Sequence, residues 1–87
     1  MTLLKLDERD NVATAVDDIA RGQSTTLGTL TLLANDDIPR GHKMALRDIP
    51  VDTDVIRYGE VIGAATADIV RGDHVHVHNV VSKRIPG

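Results

Sequence analysis

Residues 37–46 read Asp-Ile-Pro-Arg-Gly-His-Lys-Met-Ala-Leu, a turn signal followed directly by an alternating segment. The first five positions recur as Asp-Ile-x-Arg-Gly at 18–22 and 68–72, with a degenerate copy, Asp-Ile-Pro-Val-Asp, at 48–52. In each copy the Ile suits an inward anchor, while Pro suits the second position of a β-turn and Gly the fourth. The copies are too unevenly spaced for a solenoid. We interpret them as one local device that is used at several corners of a compact β-fold.

The segments that follow these turns have the pattern of short strands. Residues 74–78, His-Val-His-Val-His, alternate strictly, which predicts a strand with three His on one face and two Val on the other. Residues 11–16 also suit a strand, although Asp10 could cap a short helix there. We predict further strands at residues 27–33, 43–46 and 54–58, and a turn at Tyr58-Gly59-Glu60.

Composition supports an all-β fold in a single domain, residues 1–87. A chain of 87 residues is short for more than one core. Hydrophobic residues make up 41% of it, but Phe and Trp are absent and Tyr58 is the sole aromatic. The core is therefore aliphatic and rich in β-branched residues, which favours strands. A core of this kind leaves a small stability margin, so we expect a partner chain or domain.

Several classes of protein are disfavoured by the sequence. Cysteine is absent, which rules out disulfides and thiolate sites and fits a cytoplasmic protein. No apolar run approaches the roughly 20 residues that cross a bilayer, and the chain start is too short for a signal peptide, so no membrane association is predicted. The net charge is −3 and the basic residues are scattered. Without a basic stripe or stacking aromatics, nucleic-acid binding is not expected.

The histidine-rich segment offers the strongest chemical signal. Side chains two apart on a strand project to the same side, so His76 and His78 could hold one metal ion with further ligands from elsewhere. The alternative is a solvent-facing strand side on which His is merely tolerated. Asn79 could orient a ring or bind a substrate hydroxyl, although Asn at a strand end is often a turn residue.

Two other segments carry candidate site residues. His42 and Lys43 leave a tight turn as a strand begins; His transfers protons near neutral pH, and Lys neutralises carboxylates. The alternative is a polar hairpin shoulder. Asp10 and Asn11 could bind polyol hydroxyls, but a capping or turn role is the alternative. We expect the His42 segment and the 76–78 histidines to converge on one pocket that a larger polypeptide completes.

Five segments in this order resemble the SAF-type N-terminal domain or small subunit of the altronate/galactarate dehydratase family, to which the small subunit of (2R)-sulfolactate sulfo-lyases also belongs. They span nearly the whole chain, and they are specific together rather than singly. Arg57 and Met44 stand where the family pattern leads us to expect Lys and Ile. The matching segments are residues 10–15, 18–19, 38–46, 57–63 and 72–79.

The resemblance implies a β-clip fold related to type III antifreeze proteins. It also implies one part of a hydro-lyase that dehydrates an aldonate or aldarate to a 2-keto-3-deoxy acid, together with a large catalytic subunit or domain. A divalent metal, with iron or manganese favoured, would stabilise the carbanion. The implied roles are acid/base and carboxylate contact for His42 and Lys43, metal binding for His76 and His78, and substrate contact for Asp10, Asn11 and Asn79.

Three alternatives remain at this stage. The chain could be the small subunit of a sulfolactate sulfo-lyase, in which sulfite departs instead of hydroxide. It could be a non-catalytic SAF-type lid or ligand-binding module, or a scaffold that only stabilises its partner. Two converging histidine-bearing segments would favour an active-site component over a lid.

Overall fold

The chain is all-β throughout residues 2–82, the range described by this computed structural model, and that range contains no helix. The predicted all-β class is confirmed. It follows that no helix of the described part is long and apolar enough to span a membrane. The strands are β1 (Leu3–Leu4), β2 (Val12–Ala15), β3 (Ser24–Leu27), β4 (Leu30–Leu33), β5 (Lys43–Ala45), β6 (Asp54–Arg57), β7 (Glu60–Ala65), β8 (His74–Val75) and β9 (Val80–Val81).

The strands form three small antiparallel sheets. One has the order β1-β2-β5-β8, one is the hairpin β3-β4, and one has the order β6-β7-β9. The predicted strands at residues 11–16 and 43–46 correspond to β2 and β5, which are neighbours in the first sheet. The predicted turn after β6 is also present: Tyr58 and Gly59 both have positive φ, and Arg57 pairs with Glu60 across them.

The repeated Asp-Ile turns associate in two pairs. Ile19 and Ile38 exchange two backbone hydrogen bonds of 2.9 and 2.8 Å, and Ile49 and Ile69 do the same at 2.8 and 2.9 Å. All four Ile side chains are buried, as predicted for inward anchors. The repeat is therefore a pairing device as well as a corner, because each copy closes against another copy.

The aspartate of each turn accepts a backbone hydrogen bond from the turn with which it is paired. Asp18 accepts a 2.8 Å hydrogen bond from the backbone N–H of Arg40, and Asp37 accepts one of 2.8 Å from that of Arg21. A carboxylate that accepts a backbone N–H ties the two turns together by a charge-assisted hydrogen bond. The second pair repeats the pattern, with Asp48 bound to Arg71 N–H and Asp68 to Val51 N–H.

The turns start one residue later than the sequence pattern suggested. The N–H of His42 donates to the carbonyl of Pro39 at 2.9 Å, so Pro39 is the first turn residue and Gly41 the third. The placement of Pro second and Gly fourth was therefore wrong. Gly41 has φ +85°, and the third position of a type II turn requires such a positive φ. In the degenerate copy Asp52 fills that position with φ +66°.

Two predicted strands are shorter than expected. Residues 27–33 are not one strand, because the chain reverses at Gly28 and Thr29 between β3 and β4. Residues 74–78 form a strand only at His74–Val75, after which the chain turns. Val77 is 82% exposed, so the prediction of two inward Val residues holds for Val75 alone.

The core lies on both sides of β5. Met44 packs into one cluster of buried apolar side chains and Ala45 into a second, and both residues are fully buried. On β2, Ala13 and Val12 divide between the same two clusters. Because its central strands are buried on both faces, the first sheet is a rigid support for side chains at its end.

Candidate functional site

The N-terminal end of β5 lies beside β8, and this pairing brings two histidine-bearing segments together. Lys43 pairs with Val75 in the antiparallel register, so His42, one residue earlier, lies opposite His76. His42 is also the last residue of its turn, where its N–H is bound to Pro39. The backbone on both sides of the site is thereby held by hydrogen bonds that do not involve the imidazoles.

The rings of His42, His74 and His76 form one stacked group, which we call the histidine cluster. The ring centroids of His42 and His76 are 3.9 Å apart and their planes differ by 13°. Those of His42 and His74 are 5.1 Å apart. The Nδ1 of His42 lies 2.8 Å from the Nε2 of His74, so one of these nitrogens donates a hydrogen bond to the other. The expected convergence of the two segments is confirmed.

The surroundings of two of these rings disfavour their protonated forms. The pKa values of His74 and His76 lie below the usual value for His. Burial is the main cause for both rings, and the charges of neighbouring His rings, and of Lys43 in the case of His76, act in the same direction. A neutral imidazole keeps a lone pair, which is the form that binds a metal ion.

The donor set of the histidine cluster suits a divalent metal. One ring nitrogen from each of His42, His74 and His76 lies within 4.8 Å of the other two. Nitrogens that share one ion are about 3–4 Å apart, so small side-chain rotations would suffice. The Nδ1 of His76 is buried and has no hydrogen-bond partner among the described residues. A buried ring nitrogen without a partner is unfavourable in either tautomer unless something binds it.

Lys43 and His76 share a cavity of about 210 Å³ beside the histidine cluster. Burial is the main cause of a lowered pKa of Lys43, and the positive charge of Arg57 adds to it. A partly desolvated ammonium near apolar walls attracts an anion more strongly than one in water. The cavity is lined by Lys43, Ile62, His76, Val77, Val80 and Ser82.

The two remaining residues predicted on this segment lie at its edge. Asn79 closes the turn: its Oδ1 accepts from the N–H of His76 at 2.9 Å, and its Nδ2 donates to the carbonyl of His74 at 2.9 Å. His78 is exposed, with its ring 5.1 Å from that of His74. The structure thus groups His76 with His42 and His74, whereas the sequence pattern paired it with His78. The metal role of His78 stays a prediction.

Comparison with known proteins supplies the family. A family model described as the altronate/galactarate dehydratase SAF domain matches residues 1–83. The chain belongs to this family. Altronate dehydratase of Escherichia coli (strain K12) is 46% identical over 79 residues, which cover 91% of the chain and 16% of that protein. Galactarate dehydratase (L-threo-forming) of the same organism is 42% identical over 84 residues, covering 95% and 16%.

A shorter relative is similar to this SAF domain as well. The (2R)-sulfolactate sulfo-lyase subunit alpha of Chromohalobacter salexigens is 50% identical over 56 residues, which cover 64% of the chain and 60% of that subunit. The SAF domain therefore spans 16% of the two dehydratases and more than half of this subunit. Its relatives include both large single chains and a separately encoded small subunit.

Asp10 lies at the Tyr58–Gly59 turn of the SAF domain, and Asn11 lies beside β6. The Oδ1 of Asp10 accepts the N–H of Gly59 at 2.8 Å. Asn11 donates to the carbonyl of Asp54 at 2.8 Å and accepts from the N–H of Ile56 at 2.8 Å. Both side chains are buried, at 3% and 4% exposure, and bound to backbone, which is the structural alternative weighed above. Their contact with substrate stays a prediction.

Asp10 provides a test of that structural role. Its carboxylate also accepts the N–H groups of Leu6 and Asp7. Burial alone would raise its pKa, but the backbone hydrogen bonds, above all those from Gly59 and Tyr58, outweigh burial and lower the pKa. We expect Asp10→Asn to lower the free energy of unfolding by about 1–3 kcal/mol near neutral pH, measured by urea denaturation. Asp17→Asn, at an exposed position, is the matched control.

The pH dependence of this loss has a defined sign. The folded-state pKa of Asp10 is lowered, so its stabilisation is complete above the unfolded-state pKa of about 4 and is lost as pH falls through the folded-state value. The difference in free energy of unfolding between wild type and Asp10→Asn should therefore become smaller as the pH falls. A difference that stayed constant down to about pH 2 would contradict the structural role of the Asp10 carboxylate.

Two residues of the site were missed by the sequence interpretation. His74 was seen as part of the alternating strand but was not assigned a role, although it lies 2.8 Å from His42. Arg57 was noted only as a departure from the family pattern. The alternation of His74 with His76 could have suggested the first. No local signal relates Arg57 to this segment, because it lies in a different sheet from Lys43 and His74.

Proposed function

We propose that this SAF domain contributes the histidine cluster and Lys43 to the active site of a sugar-acid hydro-lyase. The observation that carries the proposal is the stacking of His42 on His76 at 3.9 Å beside the cavity that holds Lys43. Neutral imidazoles and a cation side by side suit a substrate that carries a carboxylate and must lose a proton next to it. The relatives named above as dehydratases support the same reaction class.

The proposed reaction removes water from an aldonate or aldarate. A base takes the proton from the carbon beside the carboxylate, the bond from the next carbon to its hydroxyl breaks, and an acid protonates the departing hydroxide. The resulting enol converts to a 2-keto-3-deoxy acid. Lys43 would contact the substrate carboxylate, and its lowered pKa also suits proton transfer.

A divalent metal, with iron or manganese favoured, is proposed for the histidine cluster. His42, His74 and His76 would hold it, and bound there it would act as a Lewis acid for the substrate carboxylate and adjacent hydroxyl. The same ring nitrogen cannot bind a metal and carry a proton. His42 is therefore either a ligand or the acid/base group, and the metal content of a His42 variant distinguishes the two.

Further parts of the proposal concern the whole protein. A large catalytic domain or subunit would complete the pocket, since the SAF domain spans only 16% of the dehydratase relatives. We also propose a β-clip fold for a single domain of residues 1–87, which the paired Asp-Ile turns support. A cytoplasmic location is proposed from the absence of cysteine.

A sulfolactate sulfo-lyase is the second candidate, favoured by the 50% identity with the subunit alpha named above. The chemistry at the histidine cluster would be the same except that sulfite departs. The geometry of this domain does not favour either leaving group, since the contacts to it would come from the missing part of the enzyme.

The test is an assay of the complete enzyme with and without this chain. The chain and its catalytic partner are purified together and supplied with galactarate, altronate and sulfolactate, and keto acid and sulfite are measured separately. We expect keto-acid release from one of the sugar acids that depends on the chain. Turnover that is unchanged when the chain is omitted would contradict the proposal, and sulfite release would select the second candidate.

A further inference from the structure

A pair of cations, Lys43 and Arg57, adjoins the histidine cluster. The two come from different sheets, Lys43 from β5 and Arg57 from the end of β6. They are connected through Thr14, the cross-strand partner of Lys43, and through the Tyr58 ring over which the Arg57 guanidinium lies. Within residues 2–82 neither side chain has a carboxylate within salt-bridge distance. Two unneutralised, partly buried cations repel each other unless an anion joins them.

The turn after β6 fixes where Arg57 lies. The Tyr58 hydroxyl donates a 2.9 Å hydrogen bond to Oγ1 of Thr14, and Thr14 is the cross-strand partner of Lys43. The Arg57 guanidinium carbon lies 5.2 Å from the centroid of the Tyr58 ring. Arg57 is therefore held over the Tyr58 ring, and that ring is hydrogen-bonded to β2, the neighbour of the strand that carries Lys43. This cation–π contact restrains the guanidinium before any ligand arrives.

The hydrogen-bonding state of Arg57 points to a missing acceptor. Its Nε is buried, and no acceptor for its N–H is found among the described residues. A buried N–H donor without an acceptor is destabilising, by roughly 1–3 kcal/mol when the group is left unsatisfied. Guanidinium Nε and Nη donors form a fork that matches the two oxygens of a carboxylate. The Nδ1 of His76, which lines the same cavity as Lys43, is also buried without a partner among the described residues.

We propose that Arg57 and Lys43 form a carboxylate-binding subsite, in which the guanidinium fork of Arg57 and the ammonium of Lys43 hold one carboxylate of the sugar-acid substrate. The inference rests on the proposed function for the identity of the ligand. It makes Arg57 a substrate-binding residue and places the substrate between the β6–β7 turn and the histidine cluster. No bond is made or broken at this subsite.

Direct binding to the chain tests the proposal without turnover. The 87-residue chain, labelled for NMR, is titrated with D-galactarate, and the Arg57 Nε–H signal is followed. We expect a saturable shift of that signal. The dissociation constant should be about 10-fold or more higher for Arg57→Gln, because this change removes the guanidinium charge and its fork of two donors. Arg57→Lys should recover part of the affinity. Arg21→Gln, an exposed arginine in the first turn, is the matched control and should bind like wild type.

Two results would overturn the proposal. One is equal galactarate affinity for Arg57→Gln and Arg21→Gln. The other is found in the complete enzyme: if Arg57→Gln released the catalytic partner while galactarate affinity stayed the same, the acceptor would be an acidic side chain of the partner. An enzyme that binds galactarate through Arg57 but dehydrates no sugar acid would refute the proposed function and leave the subsite standing.

Discussion

Replacing His42 with alanine should lower the turnover of the complete enzyme by about 10²–10⁴-fold, the range for removing a proton-transfer group. His42 makes the closest contacts in the cluster: its ring centroid is 3.9 Å from that of His76, and its Nδ1 is 2.8 Å from the Nε2 of His74. Its loss therefore removes either a metal ligand or the acid/base group. Turnover is measured with the sugar acid that the wild-type enzyme accepts.

The metal content of the purified variant separates the two roles of His42. If His42 is a ligand, His42→Ala should lose most of its iron or manganese along with its activity. If it is the acid/base group, the metal should stay bound while turnover falls. His78→Ala, measured beside it, tests the metal role predicted for that exposed ring. Wild-type turnover and metal content in His42→Ala would remove the histidine cluster from the active site.

The internal repeat supplies a matched control for His42→Ala. Gln23 follows Gly22 in the first Asp-Ile turn as His42 follows Gly41 in the second. Its N–H donates to Ala20 as that of His42 donates to Pro39, at 2.9 Å in both turns. Gln23→Ala should leave turnover and metal content unchanged. Equal losses in both variants would indicate damage to the turns rather than to the site.

The extent of each strand was predicted well where alternation and turn residues agree. β2 and β5 appeared at their expected positions because apolar residues there pack into both core clusters. The predicted strand at residues 74–78 is shorter than expected because the side chain of Asn79 forms hydrogen bonds with the N–H of His76 and the carbonyl of His74. Alternation of residue types does not reveal such competition between a side chain and the sheet.

The candidate site was predicted only in part, because residue patterns do not specify contacts between distant segments. The convergence of His42 with His76 follows from two strand-like segments that leave glycine turns, and it was expected. The choice of His74 as the contact of His42 depends on the register of β5 against β8, which no residue pattern specifies. Arg57 depends on how two sheets lie against each other. Contacts between distant segments are where sequence patterns carry least information.

The three Asp-Ile-x-Arg-Gly copies look equivalent in sequence, yet their glycines have different surroundings. Gly22, Gly41 and Gly72 all have positive φ, between +84° and +93°. A Cβ built on Gly22 or Gly41 would meet nothing within 4 Å, whereas one on Gly72 would collide with the carbonyl oxygen of Leu33. Asn35 closes the same space from beside it. Gly72 thus allows β4 and the turn before β8 to touch.

We therefore expect Gly72→Ala to be far more damaging than Gly41→Ala. Both variants force a non-glycine residue into the left-handed region, at about 1–2 kcal/mol. Gly72→Ala adds a clash with backbone, of about 1–3 kcal/mol more. That clash would also strain the hydrogen bonds from Gly72 N–H to Ala45 and from Asn35 N–H to Gly72, of 2.9 and 3.0 Å.

Urea denaturation of the three glycine variants measures the difference directly. Gly22→Ala and Gly41→Ala should unfold at similar midpoints, while Gly72→Ala should unfold about 1 M or more earlier, or be unfolded without urea. Because His74 follows this turn, the clash reaches the histidine cluster, and the His74 ring signals should shift in any folded Gly72→Ala. Equal midpoints for all three variants would mean that β4 can move away from the turn at no cost. The role that we assign to Gly72, which is to keep β4 in contact with the turn that leads into β8, would then be wrong.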